Sequence, residues 1–86
     1  MATLDPTGFS AIREGFPSLS DAEFNVIFFY ACGASLDEMS VFLHTTKPMI
    51  KKRLNSSKSK LSLESVQAIR TIVNIKLNLA ILSKLS

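Results

Sequence analysis

Apolar side chains recur at helical spacing from residue 19 onward, and polar residues mark the expected helix ends. Ser20 and Glu23 have the spacing of a capping box, in which each side chain accepts a hydrogen bond from the other residue's N–H. The helix that begins there is expected to continue to about Cys32. It should end before Gly33, because glycine readily takes the positive φ of a C-terminal turn. Its expected buried side chains are Phe24, Ile27, Phe28 and Ala31.

A second capping box follows at Ser35 and Glu38 and predicts a short helix. The apolar residues of this helix are expected to face the core with i, i+3, i+4 spacing: Met39, Phe42 and Leu43. His44 falls in the turn after it, where a residue that tolerates left-handed geometry is expected. No second His and no Cys lies near enough in the sequence to favour a metal or catalytic role.

A third helix is predicted over about residues 47–60. Thr46 is a good N-cap, and Pro48 then falls in the first turn, where its missing N–H would have no partner in any case. One edge of this helix should face the core through Ile50, Leu54, Ser57 and Leu61. The opposite face should carry Lys52, Asn55, Ser56 and Ser59, with Lys47, Lys51, Lys58, Arg53 and Lys60 on its two shoulders.

A fourth helix is predicted from about residue 63 to about residue 84, with two apolar stripes. One stripe consists of Val66, Ile69, Val73, Leu77 and Ala80. The other consists of Ala68, Ile72, Ile75, Leu79 and Leu82. The domain can cover the first stripe, and a second copy of the chain is the simplest cover for the other. The alternative is that the N-terminal arm, residues 1–18, folds over the second stripe. That arm should contain a helical turn from Gly8 to Glu14, held to the domain by Phe9, Ile12 and Phe16.

Charge is divided unevenly along the chain. Residues 1–44 contain one basic residue and six acids, a net charge of −5, whereas residues 45–86 contain nine basic residues and one acid, a net charge of +8. The third helix contains no acid, although a merely solvated helix usually pairs its cations with acids four residues away. An acidic partner is therefore indicated. A solvated basic face remains the commoner explanation of a lysine run.

The remaining composition narrows the classes of protein. Eighty-six residues, 47% of them apolar, allow one domain with a modest core. The single Cys32 excludes an intramolecular disulfide and favours a reducing compartment, where it is expected to be a small buried side chain. No secretory signal is visible, and Asn74, Lys76 and Asn78 interrupt the last apolar stretch, so no membrane span or membrane partner is expected. No catalytic group of residues has useful spacing, so an enzyme is not expected, nor is a cofactor or metal.

Residues 19–63 resemble, without a gap, the DNA-binding domain of the LuxR/FixJ/GerE type. The family's opening Leu-Thr-x-x-Glu is similar to Leu19-Ser20-x-x-Glu23. Its Gly, Ser and Glu-Ile pair resemble Gly33, Ser35 and Glu38-Met39. Its Val-Lys and Lys-Leu pairs resemble Ile50-Lys51 and Lys60-Leu61. Three positions depart from the pattern: Met49 replaces a common Thr that helps hold a phosphate, His44 a common Gly, and Ser57 a buried aliphatic residue.

The resemblance implies a compact, all-α, four-helix helix-turn-helix domain. Together with the pattern described above, it predicts such a domain over residues 19–86, with an extended C-terminal helix and a short N-terminal arm. In this family the third helix reads the major groove of double-stranded DNA and the fourth pairs two protomers. Base readout would fall to Lys51, Lys52 and Asn55. The expected phosphate contacts are Thr46, Lys47, Arg53, Ser56, Lys58 and Lys60. The expected homodimer interface is Ala68, Ile72, Ile75, Leu79 and Leu82.

Two functions follow as hypotheses. The first is a sequence-specific, dimeric transcription regulator in the bacterial cytoplasm, associated with the nucleoid. The second is a non-enzymatic interaction module, derived from a helix-turn-helix domain, that binds another transcription regulator through its last helix. The two differ in whether the outward residues of the third helix are needed for function.

Overall fold

The computed structural model of the chain describes the backbone of residues 9–85 and the side chains of residues 12–82. Within that range the regular structure is entirely helical, which confirms the all-α prediction. The helices are α1 (Phe9–Glu14), α2 (Asp21–Ala31), α3 (Leu36–Phe42), α4 (Lys47–Lys60) and α5 (Gln67–Leu85). The helical turn expected in the N-terminal arm is α1, and the predicted first residue of that turn, Gly8, lies outside the described residues.

Both predicted capping boxes form. The Ser20 hydroxyl accepts from the Glu23 N–H at 3.1 Å, and Glu23 Oε1 accepts from the Ser20 N–H at 2.9 Å. Ser35 and Glu38 make the same pair of bonds at 3.1 and 2.8 Å. These reciprocal bonds satisfy N–H groups that have no partner inside the helix, so they determine where α2 and α3 begin.

The start of α4 also agrees with the prediction. Thr46 is the N-cap, and its hydroxyl accepts from the Met49 N–H at 3.3 Å. Pro48 occupies the second helical position, where no backbone donor is needed. The predicted bounds of this helix, residues 47–60, are those of the structure.

Three helices end in the same type of turn. The residue after each C-cap has a left-handed φ, which is 99° at Gly33, 52° at His44 and 57° at Ser62. In each turn this residue donates to the carbonyl three residues back, and the next residue donates to the carbonyl five residues back. This is the Schellman pattern, which satisfies the last carbonyls of a helix. It confirms the expected geometry of His44, whereas the turn at Ser62 is not predicted from the sequence.

The Ser62 turn also explains why the predicted start of the last helix is wrong. Because Ser62 reverses the chain after α4, the helical pattern cannot continue through Leu63 and Glu64. The last helix begins at Gln67 instead, and the Ser65 hydroxyl accepts from the Ala68 N–H at 3.3 Å. Leu63 and Val66 still pack against the core, although they lie in the connection between helices.

The core forms around α2, which packs against α3, α4 and α5, while α1 packs against α5. Ile12 and Phe16 are fully buried, so the arm is held to the domain as predicted; the predicted contact of Phe9 lies outside the described side chains. In α2, Phe24 and Ile27 are buried as expected, whereas Phe28 and Ala31 are only partly buried. Among the described side chains, the buried apolar residues of the core are Ile12, Phe16, Leu19, Phe24, Val26, Ile27, Met39, Ile50, Leu54, Ile69 and Val73.

Two side chains expected in the core are exposed. Phe42 is 62% exposed, because Met39 and Leu43 take the inward edge of the seven-residue α3 and Phe42 lies beside it. Its ring stacks on that of Phe29, with centroids 6.0 Å apart. Cys32 is exposed because it is the C-cap of α2, at the solvent end of that helix.

Candidate nucleic-acid interface

Helix α4 has one face fixed in the core. Ile50, Leu54 and Ser57 are at most 5% exposed, as their spacing predicts, and Leu61 is partly buried. Burial of two aliphatic side chains one turn apart, against α2 and α3, sets the rotation of α4 about its axis. The side chains on the other side of the helix must therefore face solvent.

The three predicted base-reading residues lie on that outward side. Lys51, Lys52 and Asn55 are all exposed. The Asn55 amide donates from Nδ2 to the Lys51 carbonyl at 3.0 Å, so this side chain lies along its own helix. To bind a base with both its donor and its acceptor, Asn55 would have to exchange that bond for one to the base. The two lysines form no ion pair within residues 12–82.

The six predicted phosphate contacts fall into four groups. Arg53 and Lys58 are half-buried and form no ion pair with a described residue. Lys47 is paired with Asp37 of α3 at 2.5 Å, with both side chains more than half exposed. An exposed pair of this kind contributes little stability, so Lys47 can exchange Asp37 for a phosphate. Thr46 is exposed and acts as the N-cap of α4.

The remaining two, Ser56 and Lys60, are bonded to Glu23 of α2. The Ser56 hydroxyl donates to Glu23 Oε2 at 2.6 Å, and Lys60 Nζ donates to Glu23 Oε1 at 2.8 Å. Oε1 also accepts from the Ser20 N–H, so one carboxylate receives three hydrogen bonds while only 8% of the residue is exposed. These two side chains therefore hold α4 against α2. Their use on a phosphate would break that connection.

The bonds from Lys60 and Ser56 lower the pKa of Glu23 to about 2, with a further contribution from the Ser20 N–H. Burial acts in the opposite direction, because it disfavours the charged carboxylate, but it is outweighed. Glu23 thus stays ionised under all ordinary conditions.

The role of Glu23 is the main feature that sequence reasoning missed. The capping box accounts for one of its oxygens, and its partners on α4 are 33 and 37 residues away in the chain. Ser56 and Lys60 are four residues apart, so they lie on one side of α4. An acid on a neighbouring helix was a possible partner for that side, but only the packing of α2 on α4 identifies which acid it is.

The two apolar stripes of the last helix separate as predicted. Ile69 and Val73 are buried, with Val66, Leu77 and Ala80 partly buried beside them. On the second stripe, Ala68 and Ile72 are partly buried, whereas Ile75, Leu79 and Leu82 are 49%, 60% and 58% exposed. The described part of the N-terminal arm does not cover this second stripe, because α1 packs on α5 beside Lys76, whose Nζ lies 5.4 Å from the Phe16 ring centre.

Other types of site are not found in the part of the chain that the structure describes. No group of three or more His, Cys, Asp or Glu side chains there is arranged to hold a metal ion. None of the described helices has the length and apolarity needed to cross a bilayer. The polar groups on the surface of α4 are ammonium, guanidinium, amide and hydroxyl groups, and the apolar Pro48 and Met49 are exposed at its first turn.

Replacing Ser56 and Ser57 separately by Ala should change stability in opposite directions. The Ser57 hydroxyl is fully buried and has no hydrogen-bond partner among the described residues, so Ser57→Ala should raise the free energy of unfolding by about 1 kcal/mol. The Ser56 hydroxyl donates to the Glu23 carboxylate, so Ser56→Ala should lower it by about 1–2 kcal/mol. Urea denaturation measures both, and the same sign for the two variants would show that these contacts are wrongly assigned.

Glu23→Gln should reduce the sensitivity of the fold to acid. The folded-state pKa of Glu23, about 2, lies below the ordinary value of 4.5, so its contribution to stability is complete above about pH 4.5 and is lost as the pH falls toward 2. The free energy of unfolding of the wild type should fall across that interval more than that of the variant. At pH 7 the variant should be less stable by about 1–2 kcal/mol, since Lys60 is nearly half exposed and partly screened.

Glu38→Gln is the matched control, because Glu38 caps α3 in the same way but is exposed and bonded to no other helix. Its stability should follow the wild-type dependence on pH. If the two variants change the acid dependence equally, the bonds from α4 are not the source of the effect.

Comparison of the chain with protein-family models, with curated protein sequences and with solved structures gave no match. What α4 binds must therefore be inferred from its own side chains and from the way α2 and α3 hold it.

Proposed function

We propose that the protein is a sequence-specific DNA-binding transcription regulator that places α4 in the major groove. The observation that carries this proposal is the division of α4 into two faces. Ile50 and Leu54 are fixed in the core, while Lys51, Lys52 and Asn55 face solvent on a helix that contains no acid. The major groove of B-DNA admits an α-helix, and outward amide and ammonium groups are the ones that read base edges there.

The arrangement of α3, the His44 turn and α4 supports the same function. A short helix, a tight turn and a second helix packed against the first form the arrangement that helix-turn-helix proteins use on DNA. The resemblance of residues 19–63 to the LuxR/FixJ/GerE-type domain agrees with it. We therefore assign α3 and α4 as the helix-turn-helix pair, with α4 as the recognition helix.

The contacts within the fold assign different roles to the cations. Lys51 and Lys52 suit guanine, and Asn55 suits adenine once its amide leaves the Lys51 carbonyl. Lys47, Arg53 and Lys58 are available to neutralise phosphates, since at most an exposed ion pair holds any of them. Ser56 and Lys60 stay on Glu23 and act by fixing the position of α4.

A second copy of the chain is the proposed cover for the exposed stripe of α5. Ile75, Leu79 and Leu82 form an apolar row on the outer side of this helix, and Ala68 and Ile72 continue it toward the domain. A two-fold dimer would bring the same row together from both copies and place two α4 helices on successive half-sites. Such a regulator would act on the nucleoid.

The alternative function uses the same stripe for a different protein. In that case the chain is an interaction module that binds another transcription regulator through α5, and α4 has no DNA contact. The exposed stripe favours it as much as it favours a homodimer. The two functions are separated by the outward residues of α4, which only the DNA-binding function needs.

Selection from randomised duplexes should yield a preferred sequence, and binding to that sequence should depend strongly on salt. Three phosphate contacts from each of two protomers give an expected slope of about −5 in a plot of log affinity against log salt concentration. Replacing Lys51, Lys52 and Asn55 together by Ala should weaken binding to the selected sequence at least about a hundredfold, because each base contact contributes about 1–3 kcal/mol. Fluorescence anisotropy with a labelled duplex measures both effects.

The matched control is Arg70→Gln with Lys76→Gln. It also removes two positive charges, but from α5, a helix to which no DNA contact is assigned. Its affinity for the selected sequence should stay within about threefold of wild type, a shift expected from net charge alone. An affinity that does not change between about 50 and 200 mM salt for every duplex would overturn the DNA-binding function. An intact regulatory effect in cells with the triple α4 variant would favour the interaction module instead.

Replacing Ile75 and Leu79 by Ser should abolish self-association while the fold remains. Both side chains are about half exposed or more, so little core packing is lost, whereas a dimer interface would lose two apolar contacts. Sedimentation equilibrium should show a dimer for the wild type and a monomer for this variant. The control is Val41→Ser with Phe42→Ser, which removes two apolar groups of at least comparable exposure from α3 and should leave the dimer intact. A dimer in both variants would place the contact elsewhere.

A further inference from the structure

A second exposed apolar surface lies away from α5, where α2 meets α3. Val41 is 68% exposed and Phe42 62% exposed, and Phe42 stacks on the half-buried Phe29 with an angle of 15° between the rings. We call these three residues the α2–α3 patch. Large apolar side chains scattered singly on a surface need no explanation, but adjacent ones that form a patch mark interaction sites.

The patch is held in place by a row of aromatic rings. Phe42 stacks on Phe29, which meets Phe28 edge to face, and Phe28 stacks on Phe24 beside the fully buried Phe16. Successive centroids in this row are 5.9–6.3 Å apart. An exposed ring anchored in this way loses little conformational entropy when a partner covers it, which favours binding.

Asp37 and Glu38 lie beside the patch and Lys47 pairs with Asp37, so these three side chains together carry a net charge of −1. Asp37 and Glu38 lie four residues before Val41 and Phe42, so each acid lies one turn from an exposed apolar side chain on the same side of α3. Residues 14–46 contain no Lys or Arg. Glu38 uses one oxygen to cap α3, and Asp37 is paired with Lys47 but remains mostly exposed, so the surroundings of the patch stay acidic.

This charge decides which occupants fit. Phosphates of nucleic acids and anionic lipid surfaces are repelled by the acids. A second copy meeting the patch through its own patch would bring acid against acid. A second copy meeting it through α5 brings no suitable cation among the described side chains, because Arg70 lies over its own Tyr30 and Lys76 over its own Phe16.

We infer that the α2–α3 patch docks a different protein, through a segment that presents an aliphatic or aromatic side chain flanked by Lys or Arg. The apolar side chain packs on Phe42 and Val41, and the cations of the partner face Asp37 and Glu38. The patch uses none of the base-reading residues of α4 and none of the exposed stripe of α5. Its one link to the proposed DNA-binding surface is Asp37, which is paired with the proposed phosphate contact Lys47.

The inference is tested on the purified 86-residue chain with three synthetic peptides. Each has about 15 residues, enough for a marginally stable helix. The first has Leu and Phe at i, i+3, i+4 and i+7 with Lys beside them, the second has Glu in place of every Lys, and the third is a scrambled form of the first. Affinity is measured by fluorescence anisotropy, and the binding site is located by amide chemical-shift changes in ¹⁵N-labelled protein.

The Lys peptide should bind at least about tenfold more tightly than the Glu or scrambled peptides, a difference of about 1.4 kcal/mol. Its chemical-shift changes should centre on Phe29, Val41 and Phe42. Val41→Ser with Phe42→Ser should weaken binding about tenfold, and Ile75→Ser with Leu79→Ser should leave it unchanged. Asp37→Asn with Glu38→Gln keeps the α3 cap and should narrow the preference for the Lys peptide over the Glu peptide.

Three outcomes would overturn the inference. Equal binding of the Lys and Glu peptides would remove the role of the acids. Chemical-shift changes centred on α5 or α4 would place the site elsewhere. If replacing Val41 and Phe42 lowers the mass of the protein in solution, a second copy of the chain already occupies the patch. Thermal melting of each variant confirms that the fold is retained, and the shift map of the wild type is decisive on its own if a variant is unstable.

Discussion

The position of α4 depends on one buried carboxylate. Glu23 joins the first turn of α2 to the last two turns of α4, since it accepts from the Ser20 N–H, the Ser56 hydroxyl and the Lys60 ammonium. Burying a charge is costly unless it is paired and hydrogen-bonded, and here all three donors converge on it. The aliphatic residues of α4 set its rotation, but the hydrophobic effect that buries them is non-directional and fixes the position of α4 along α2 less strictly. A directional contact of this kind opposes sliding, so the Glu23 bonds and the apolar packing together determine where the outward residues of α4 lie.

The positive charge of the second half of the chain is therefore not a uniform surface. Lys60 binds Glu23 within the domain and Lys47 pairs with Asp37 of α3. Arg70 and Lys76 of α5 lie over the rings of Tyr30 and Phe16. Lys51 and Lys52 remain on the outward face, with Arg53 and Lys58 half-buried beside them. The acidic half of the chain reduces this positive charge directly, because Glu23 binds Lys60 and Asp37 binds Lys47. Net charge alone overstates the charge that a polyanion would meet.

The helix starts could be predicted because their signals are local. Ser20 with Glu23, Ser35 with Glu38, and Thr46 with Pro48 each lie within a few residues, and the inward edge of α4 follows from its spacing. The predictions that failed concern features that depend on tertiary contacts or on turn geometry. Leu63 and Val66 continue a helical pattern, but the left-handed Ser62 breaks the helix there. Phe42 has inward spacing on a helix too short to bury it. Ser56 and Lys60 have the composition of phosphate contacts, and only the fold shows that Glu23 binds them.

The exposure of the apolar row on α5 increases toward the C-terminal half of the helix. Its most exposed members lie in the second half of the helix, from Ile75 to Leu82, beyond Ile69 and Val73, where α5 is buried against the domain. In a two-fold dimer, the residue at which two α5 helices cross would set the distance between the two α4 helices. Moving that crossing from Ile75 to Leu79 displaces it by about 6 Å along the helix, at 1.5 Å per residue. In a two-fold dimer both copies shift by this amount, so the separation of the two α4 helices would change by up to about 12 Å, or roughly three to four base pairs at about 3.4 Å per base pair. The position at which two α5 helices cross would then set the spacing of the half-sites that the dimer can bind.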